Sequence, residues 1–492
     1  MKTFKTILAA AAFALAASTA ALAARTDLVV GMVLEPPNLD PTGNAAAAID
    51  EVVYANLFEG LTRIDEKGEV QPALAESWEI SEDGKVYTFK LHTGVKYHDG
   101  TDFNADDVKF SLDRARGADS TNAQKALFAA IENVEAVDPA TVKVTLSRPQ
   151  GDFLYNMGWG DAVIVAEESA ATNADKPVGT GPFKFENWAK GSSVTLVKNP
   201  DYWGEPVALE KAEFRFISDA AASVAAVLSG DVQAFPNIGA GDALAQLQSD
   251  PRFKVVIGST EGETILTINN KKPPFDDLKV RQAIAHALNR EEIIAGNGSG
   301  LGTPIGSFFS PGNAAYVDLT GTYPYDPEKA KQLLKEAGHE SIKATLKLPP
   351  PTYARDGGQV IAAELRAVGI ELELIPVEWP QWLEQVFKGK DFDLTIVSHT
   401  EPNDIGIFGR KDYYFNYDNP EFDKVMAELD ATSDQAKRKE LYGQAQKILA
   451  DDAVVGFLFQ LPKIGVWDAK VEGMWENSPV QANDLTKVKW VD

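Results

Sequence analysis

The chain has 492 residues, no cysteine and a formal net charge of −25, and 44% of its residues are hydrophobic. This length predicts about three domains with substantial cores. The lack of cysteine excludes disulfides and thiol nucleophiles, and the negative charge disfavours nucleic acid and anionic lipid as partners. Because the acidic residues are scattered along the chain, we attribute the charge to solubility.

The first 23 residues contain a basic, an apolar and a small-residue region in the order typical of a signal peptide. Lys2 and Lys5 precede an Ala-rich apolar segment from about Ile7 to Ala16, and Ala21-Leu22-Ala23 supplies small residues for cleavage. The apolar segment is too short for a bilayer core of about 30 Å. We expect residues 1–23 to be removed on export; the alternative, an Ala-rich first helix of the folded domain, fits this order less well. Without an N-terminal cysteine to carry a lipid, we expect a monomer free in the periplasm.

Strand and helix patterns alternate through the first half. The apolar run Asp27–Met32 predicts a strand. Trp78–Ile80 and Val86–Leu91, separated by an acidic turn with glycine, predict a β-hairpin. Asn104 is placed to cap a helix with two aspartates in its first turn, where carboxylates meet the positive end of the helix dipole.

The second half has clearer helix patterns. Caps and apolar stripes predict helices beginning at Asp326-Pro327, at Asn419-Pro420 and at Ser433, the first of them closed by Gly338. Lys343–Leu348 and Phe392–Val397 predict strands. We therefore expect an α/β protein with mixed sheets in more than one lobe.

The sequence offers no recognisable catalytic or metal-binding motif. It has no phosphate-binding loop and no Gly-x-Ser-x-Gly turn, and adjacent Asp106 and Asp107 point about 100° apart on a helix, so they cannot share a proton. We expect no enzyme activity, no metal and no cofactor. No two of the five histidines lie within four residues of each other: His92, His98, His286, His339 and His399.

Several segments nonetheless form a recognisable set along nearly the whole chain: Leu74–Phe89, Gly94–Thr101, Ala105–Val108, Gly179–Phe183, Asn199–Trp203, Val280–Ile284, Tyr325–Ala330 and Asn419–Asp423. In this order they resemble family 5 of the extracellular solute-binding proteins, the dipeptide, oligopeptide and nickel receptors that feed ATP-binding-cassette (ABC) importers. Most of the motifs are structural, so they identify the family without identifying the ligand.

The resemblance implies a fold and a division of the chain. The expected fold is α/β and two-lobed, the periplasmic-binding-protein (Venus-flytrap) fold of type II, cluster C-like, with an extra subdomain inserted in lobe one. Glu263–Asn270 and Gln460–Gly465 would cross between the lobes as a hinge. The corresponding segments are 24–55, 178–265 and 463–492 for lobe one, 56–177 for the inserted subdomain and 266–462 for lobe two.

The implied function is a receptor that captures a peptide or peptide-like solute between closing lobes and delivers it to inner-membrane permease subunits. An opine-like conjugate or an oligosaccharide stays open as the ligand, whereas nickel and haem are disfavoured because the histidines do not cluster. Alternatives of other classes are a secreted hydrolase, which predicts turnover of its substrate, and a periplasmic chaperone, which predicts weak binding of unfolded chains.

One segment departs from the family pattern. In peptide-binding relatives, an aspartate in a loop of lobe two holds the α-amino group, after a strand that ends in Gly-Trp. Here that pair is replaced by Ser398 and His399. Glu401 and Asp404 are then the candidate partners of an amine, and Arg410 a candidate partner of a carboxylate. As alternatives, Asp404 caps a helix and His399 faces solvent.

Five further residues are candidates for ligand contact. Glu35 and Asn38 lie in the loop after the first strand, at an edge of the sheet where α/β proteins bind ligands. Trp159, Trp379 and Trp382 could stack on a ligand ring or a peptide plane. The alternative for each tryptophan is packing in a core.

Overall fold

The computed structural model describes residues 25–43, 46–400, 404–432 and 434–491. The predicted signal peptide, Glu401 and Ser433 lie outside the described residues. None of the helices in these ranges has the length and apolar character needed to span a membrane.

The strands are numbered in chain order: β1 Asp27–Met32, β2 Thr62–Ile64, β3 Val70–Pro72, β4 Ala75–Ile80, β5 Val86–Leu91, β6 Ile131–Asp138, β7 Thr141–Leu146, β8 Phe183–Ala189, β9 Ser193–Lys198, β10 Lys211–Phe216, β11 Ala234–Phe235, β12 Phe253–Ile268, β13 Thr303–Pro304, β14 Ile342–Leu348, β15 Ile370–Pro376, β16 Leu394–His399, β17 Val455–Asp468, β18 Val471–Glu472 and β19 Lys489–Trp490.

The α-helices are α1 Ala47–Val53, α2 Ala105–Arg116, α3 Phe153–Asn156, α4 Glu167–Ala170, α5 Ala220–Ser229, α6 Leu244–Ser249, α7 Leu278–Ala287, α8 Arg290–Ala295, α9 Pro327–Glu336, α10 Thr352–Ala367, α11 Trp379–Trp382, α12 Pro420–Asp430 and α13 Gln435–Asp451. Short 3₁₀ segments cover Lys125–Phe128, Gly160–Ala162, Gly241–Ala243 and Asp404–Gly409, and Leu383–Lys388 is a π-helix.

One mixed sheet runs through most of the molecule, in the order β15-β14-β16-β12-β17-β11-β1-β10-β9-β8, with β13 added beside β17. We call the part built on β1 and β8–β11 lobe one, and the part built on β14–β16 lobe two. Among the described strands, the long pair β12 and β17 joins the two parts: β12 pairs with β16 of lobe two, β17 pairs with β11 of lobe one, and the two pair with each other along most of their length.

Each lobe buries both faces of its part of the sheet, as expected for βα connections that cover a sheet on two sides. In lobe one, the neighbouring residues Val29 and Val30 of β1 enter two different apolar clusters. In lobe two, Ile265 and Leu266 of β12 do the same. The alternation of side chains along a strand therefore explains why neighbouring residues in these segments are both apolar.

A separate four-stranded antiparallel sheet, β4-β5-β7-β6, forms the inserted subdomain with α2 packed on it. The insert is tied to lobe one by two of the family-like motifs. The ring of His98 bonds Gly181 O at 3.0 Å and accepts a hydrogen bond from Gly179 N at 3.2 Å. A Cβ at either glycine would overlap backbone atoms of Asn56 or Leu57, so the two glycines allow the backbones to approach closely.

Most of the predicted elements are confirmed. The first strand has the predicted bounds, β4 and β5 form the hairpin, and Asn104 caps α2 in a reciprocal capping box. Two predictions are corrected. Asp434, not Ser433, caps α13. The strand predicted as Phe392–Val397 is Leu394–His399, so Ser398 and His399 lie in β16 and not in the loop after it.

Candidate functional site

The ladder between β12 and β17 is interrupted where these strands pass between the lobes. Ser259 pairs with Pro462 and Glu263 pairs with Gln460, which leaves Glu261 and its two neighbours without a partner in the ladder. The interruption is held by side chains, since Gln460 Nε2 donates to Thr260 O at 2.8 Å. An irregular stretch in two otherwise regular strands is where the sheet can bend.

Residues 475–478, near the C terminus, form hydrogen bonds with β12 and β17 at this crossing. Asn477 Oδ1 accepts a hydrogen bond from Ser259 N at 2.9 Å, and Ser478 N donates to Ser259 O at 2.8 Å. Lys463 of β17, which is 2% exposed, donates to Trp475 O at 2.9 Å. The crossing strands and the C-terminal segment therefore form one hydrogen-bonded unit.

Glu261 projects from the interruption toward lobe two and the insert. Its carboxylate accepts hydrogen bonds from Ser310 Oγ at 3.1 Å and Asn313 Nδ2 at 3.5 Å. Desolvation raises the pKa of Glu261, and these two donors offset part of the rise. Desolvation, then the negative charge of Glu261, raises the pKa of Tyr155, a residue of α3 in the insert. Residues of lobe two therefore bond this carboxylate directly, and its charge also acts on Tyr155 of the insert.

Helix α1 of lobe one adds two acidic side chains near the same crossing. Burial raises the pKa of Glu51 to about 7, although the nearby Lys463 opposes the rise. Burial, and then repulsion by Asp161 and Glu51, raises the pKa of Asp50 well above its usual value. Among the described residues, Asp50 Oδ1 has no hydrogen-bond partner. A Cβ at Gly160 would overlap this oxygen, so the glycine makes room for the carboxylate.

His399 and Asp404 come together at the end of β16. His399 is 8% exposed, and its Nδ1 lies 3.8 Å from Asp404 Oδ2. A hydrogen bond of 3.1 Å joins its Nε2 to Tyr414 Oη, and its ring packs against Phe308 and Phe415. The alternative of a solvent-facing histidine is therefore wrong, because this ring is buried among aromatic side chains.

Asp404 begins the 3₁₀ segment Asp404–Gly409. Its side chain is 14% exposed. Glu263 of β12 is the cross-strand partner of His399 and is itself 2% exposed. The arrangement brings two acids and one imidazole to the lobe-two side of the crossing.

Three of the other predicted residues have different surroundings from those expected. Glu35 accepts hydrogen bonds from Trp188 Nε1 and Gly191 N, both at 2.9 Å, so it fastens the β8–β9 hairpin. Asn38 Oδ1 accepts from Asp40 N at 2.8 Å within its own turn. Arg410 is exposed on the surface, with Nε 3.6 Å from Asp412 Oδ1.

The three tryptophans differ in their exposure. Trp382 is 5% exposed and donates from Nε1 to Thr395 Oγ1 at 3.0 Å, as expected for a core residue. Trp379 is 38% exposed and packs edge-on against Trp382 at 5.5 Å. Trp159 is half-buried and precedes Gly160 in the chain.

Two pairs of oppositely charged side chains join the insert to lobe two. Arg148 and Asp430 form an ion pair of 2.9 Å, and Arg438 lies 3.7 Å from Asp152. Arg438 is 5% exposed, and a Cβ at Gly151 would crowd its side chain. These contacts place the insert directly against α12 and α13 of lobe two.

Sequence reasoning placed His399 and Asp404 together but missed the rest of this set: Asp50, Glu51, Tyr155, Asp161, Glu261, Glu263 and Lys463. One signal was present in the sequence. Lys463 is a charged residue within the largely apolar strand β17, which is unusual for a buried strand.

Comparisons with known proteins agree with this architecture. The profile described as bacterial extracellular solute-binding proteins, family 5 middle, matches residues 69–417. The dipeptide-binding protein of Escherichia coli is 32% identical, with 85% of both chains covered, and heme-binding protein A of Haemophilus influenzae is 30% identical, with 85% of this chain and 83% of that protein covered.

Among solved structures, the periplasmic binding protein DppA of Helicobacter pylori, in complex with the peptide STSA, superimposes with a TM-score of 0.84 at 27% identity, covering 95% of this chain and 99% of that one. The two-lobed fold predicted from the motifs is therefore confirmed. The chain belongs to family 5 of the bacterial extracellular solute-binding proteins.

Proposed function

We propose that this protein is the exported solute receptor of an ABC importer. It captures a peptide or peptide-like solute between lobes one and two and delivers it to permease subunits in the inner membrane. The observation that carries the proposal is the gathering of buried and half-buried ionisable side chains at the place where β12 and β17 join the lobes in the described part of the chain. The dipeptide-binding relative and the peptide-bound structural neighbour support it.

We infer that the hinge lies at the interrupted part of the β12–β17 ladder, Ser259–Glu263 opposite Gln460–Pro462. The crossings expected from the sequence are Glu263–Asn270 and Gln460–Gly465. The β12 side of the interruption shares Glu263 with the first range, and Gln460–Pro462 lies within the second. The domain boundaries predicted from the sequence place the same strands between the lobes. Bending there would separate Glu261 from Ser310 and Asn313, so the polar contacts at the hinge favour closure.

The charge of the site favours a ligand with a cationic group. Asp50, Glu51, Glu261 and Asp404 are acidic, whereas Lys463 is the nearby amine. A desolvated carboxylate is costly unless a cation or hydrogen-bond donors compensate it. An α-amino group held by Asp404, beside His399, is the arrangement we propose for the N-terminal end of a peptide.

Closure itself is proposed as the signal to the permease. A ligand that touches both lobes shifts the population toward the form in which the Arg148–Asp430 and Arg438–Asp152 pairs are made. Such a receptor performs no bond chemistry. The basic, apolar and small-residue order of the first 23 residues supports export to the periplasm through a cleaved signal peptide.

The first experiment identifies the ligand. The protein is purified from its native compartment without denaturant, and small molecules released from it are weighed by mass spectrometry. A mass that matches a short peptide supports the proposal. A haem, an opine-like conjugate or a saccharide would refute the ligand class, and a peptide cleaved during incubation with the protein would refute a binding role without chemistry.

Asp404→Asn tests the proposed amine contact. We expect affinity for the recovered peptide to fall by about 2–5 kcal/mol, the usual cost of truncating one partner of a buried charge pair. Asp412→Asn is the matched control, since that carboxylate is exposed and lies in the same segment. Equal affinity in wild type and Asp404→Asn, measured by calorimetry, would remove Asp404 from the site.

A further inference from the structure

The turn that follows β7 brings the insert into contact with lobe two. We call this turn, residues 148–152, the insert tip. Arg148 forms its ion pair with Asp430, the last residue of α12, and Asp152 lies beside Arg438 of α13. Both helices pack on the sheet of lobe two. The contact therefore joins two parts of the molecule that are far from the hinge in the sequence.

The insert is fastened to lobe one, so the two move together. Arg114 of α2 donates to Thr42 Oγ1 at 2.6 Å. Tyr54 Oη, which follows α1, donates to Gly158 O at 2.8 Å, and the ring of His98 adds its two bonds to backbone atoms that precede β8. Lobe two is joined to this body through β12 and β17. A bend in these two strands therefore moves the insert tip relative to α12 and α13.

The guanidinium group of Arg438 is held in position by lobe two. Its Nη1 donates to Leu429 O at 2.8 Å and to Thr432 O at 3.2 Å. Its Nη2 donates to Tyr442 Oη at 3.2 Å. Because these three acceptors belong to α12, α13 and the turn between them, the side chain has a fixed position that does not depend on the insert.

Gly151 of the insert tip covers the side chain of Arg438. A Cβ at residue 151 would lie 2.6 Å from Arg438 Cδ and 2.8 Å from its Nε, so a larger residue would push the insert away from lobe two. The φ angle of Gly151 is outside the left-handed region, so a larger residue would not strain the turn itself. The lack of a side chain here therefore serves the contact with lobe two.

The two charge pairs of the contact differ in exposure. Arg148 and Asp430 are both exposed, and pairs of this kind stabilise a structure only modestly. Arg438 is buried and Asp152 is half-buried, so their attraction is screened less by solvent. A contact built in this way is strong enough to shift an equilibrium between two forms and weak enough to be broken reversibly.

We propose that the insert tip is a latch that sets the balance between the open and closed forms of the receptor before any solute binds. Gly151 and the two charge pairs contact lobe two when the lobes close, and the contact is lost when they open. The inference rests on the proposed receptor function and gives the insert a role in affinity. The larger the closed fraction of the empty protein, the lower the apparent Kd for the solute.

Distances between two spin labels in the empty mature protein test the latch. The chain has no cysteine, so Glu82→Cys and Lys439→Cys can each carry one label. Both residues are exposed: Glu82 lies in the β4–β5 turn, beside the end of β7, and Lys439 follows Arg438 in α13. The labels therefore lie on either side of the contact, and their distance increases when it opens.

Gly151→Val is the steric test. We expect it to shift the label distances of the ligand-free protein to larger values, because the added side chain overlaps Arg438. Gly321→Val is the matched control, since no atom lies within 4 Å of a Cβ at that position, and it should leave the distances unchanged. Circular dichroism checks that each variant is folded.

Exchange of charges tests the exposed pair. Arg148→Glu should also lengthen the label distance, because two carboxylates then face each other, and Arg148→Glu/Asp430→Arg should restore the wild-type distance. Lys143→Glu is the matched control. It reverses one charge of an ion pair with Glu135 that lies wholly within the insert, so it should leave the distance unchanged.

The affinity for the recovered solute should follow the label distances. We expect Gly151→Val to raise the Kd by about fivefold or more, because the closed form loses stabilisation that the protein itself supplies. Gly321→Val should leave the Kd unchanged.

Three results would overturn the proposal: wild-type label distances in the empty Gly151→Val protein, no recovery of the wild-type distance after the charges are exchanged, or an unchanged Kd in a variant that is open when empty. If Gly151→Val opens the empty protein but wild type binds no solute, the latch stands and the receptor function is refuted.

Discussion

Replacing Lys463 with methionine tests whether Glu51 and Lys463 form a coupled buried pair. Lys463 is 2% exposed and donates hydrogen bonds to Trp475 O at 2.9 Å and Asn477 O at 3.4 Å. Methionine has a similar length but neither charge nor donors. At pH 6, where Glu51 is largely neutral, we expect unfolding free energy to fall by roughly 1–3 kcal/mol because the carbonyl groups lose their donor.

The pH dependence is the more specific part of this prediction. Burial raises the pKa of Glu51 from 4.5 to about 7. Between these values the folded protein binds more protons than the unfolded chain, so stability falls as pH rises, by about 1.4 kcal/mol per pH unit for one proton. Wild type levels off above pH 7. Without Lys463 the pKa of Glu51 is higher still, so the variant keeps losing stability.

We therefore expect the difference in unfolding free energy between wild type and Lys463→Met to grow by about 1 kcal/mol from pH 6 to pH 8. Burial lowers the pKa of Lys463 to about 8. Above that pH, up to about 10.5, the unfolded chain binds the additional proton, so wild type gains stability as pH rises and the difference widens further.

Urea unfolding at pH 6, 7 and 8, followed by circular dichroism, measures these differences. Lys470→Met is the control, because Lys470 is exposed two residues after β17 ends. In Glu51→Gln/Lys463→Met the added pH dependence should disappear, since no carboxyl group is left to titrate. Parallel stability curves for wild type and Lys463→Met from pH 6 to 8 would refute the coupling.

Three further substitutions test the described surroundings. Gly160→Ala should destabilise the protein by about 1–3 kcal/mol in thermal unfolding, because the added methyl group overlaps the carboxylate of Asp50. Trp382→Phe should cost about 1–3 kcal/mol in urea unfolding, since Thr395 Oγ1 loses the buried indole donor. Arg410→Ala should leave the Kd of the recovered ligand within about twofold, because this side chain is exposed.

Each of these results has a matched comparison. Gly321→Ala adds the same methyl group where no atom lies within 4 Å, so it should have little effect; a similar loss in Gly160→Ala and Gly321→Ala would contradict the steric argument. Trp379→Phe changes a tryptophan that is 38% exposed, and a loss equal to that of Trp382→Phe would contradict the role given to the buried hydrogen bond. A large rise in Kd for Arg410→Ala would restore it as a ligand contact.

The elements could be predicted from the sequence because their signals are local. The Asn104 cap and the β4–β5 hairpin depend on residues only a few positions apart, and both are confirmed. The end of β16 was misjudged by two residues because Ser398 and His399 are polar. Their place in the strand depends on pairing with Thr264 and Glu263 of β12, which is distant in sequence.

The site was harder to predict for the same reason. Glu35 follows a strand at an edge of the sheet, which predicts a ligand contact. In the structure its carboxylate instead accepts a hydrogen bond from the indole of Trp188, 153 residues away. Glu51 and Lys463 lie more than 400 residues apart in sequence, and although Lys463 stands out in an apolar strand, nothing near it in sequence points to Glu51. Their coupling arises from the return of the chain to lobe one after lobe two is complete.

That return also constrains the order in which the molecule can be assembled. Strand β17 is the only neighbour that joins β12 to β11, so the large sheet stays in two fragments until residues 455–468 are available. A chain that is synthesised from its N terminus cannot form the pairing of β17 with β11 and β12 until nearly all of its residues are available. Nascent molecules that stop short of residue 455 should hold two unjoined sheet fragments with exposed edges, which makes them targets for proteolysis and aggregation.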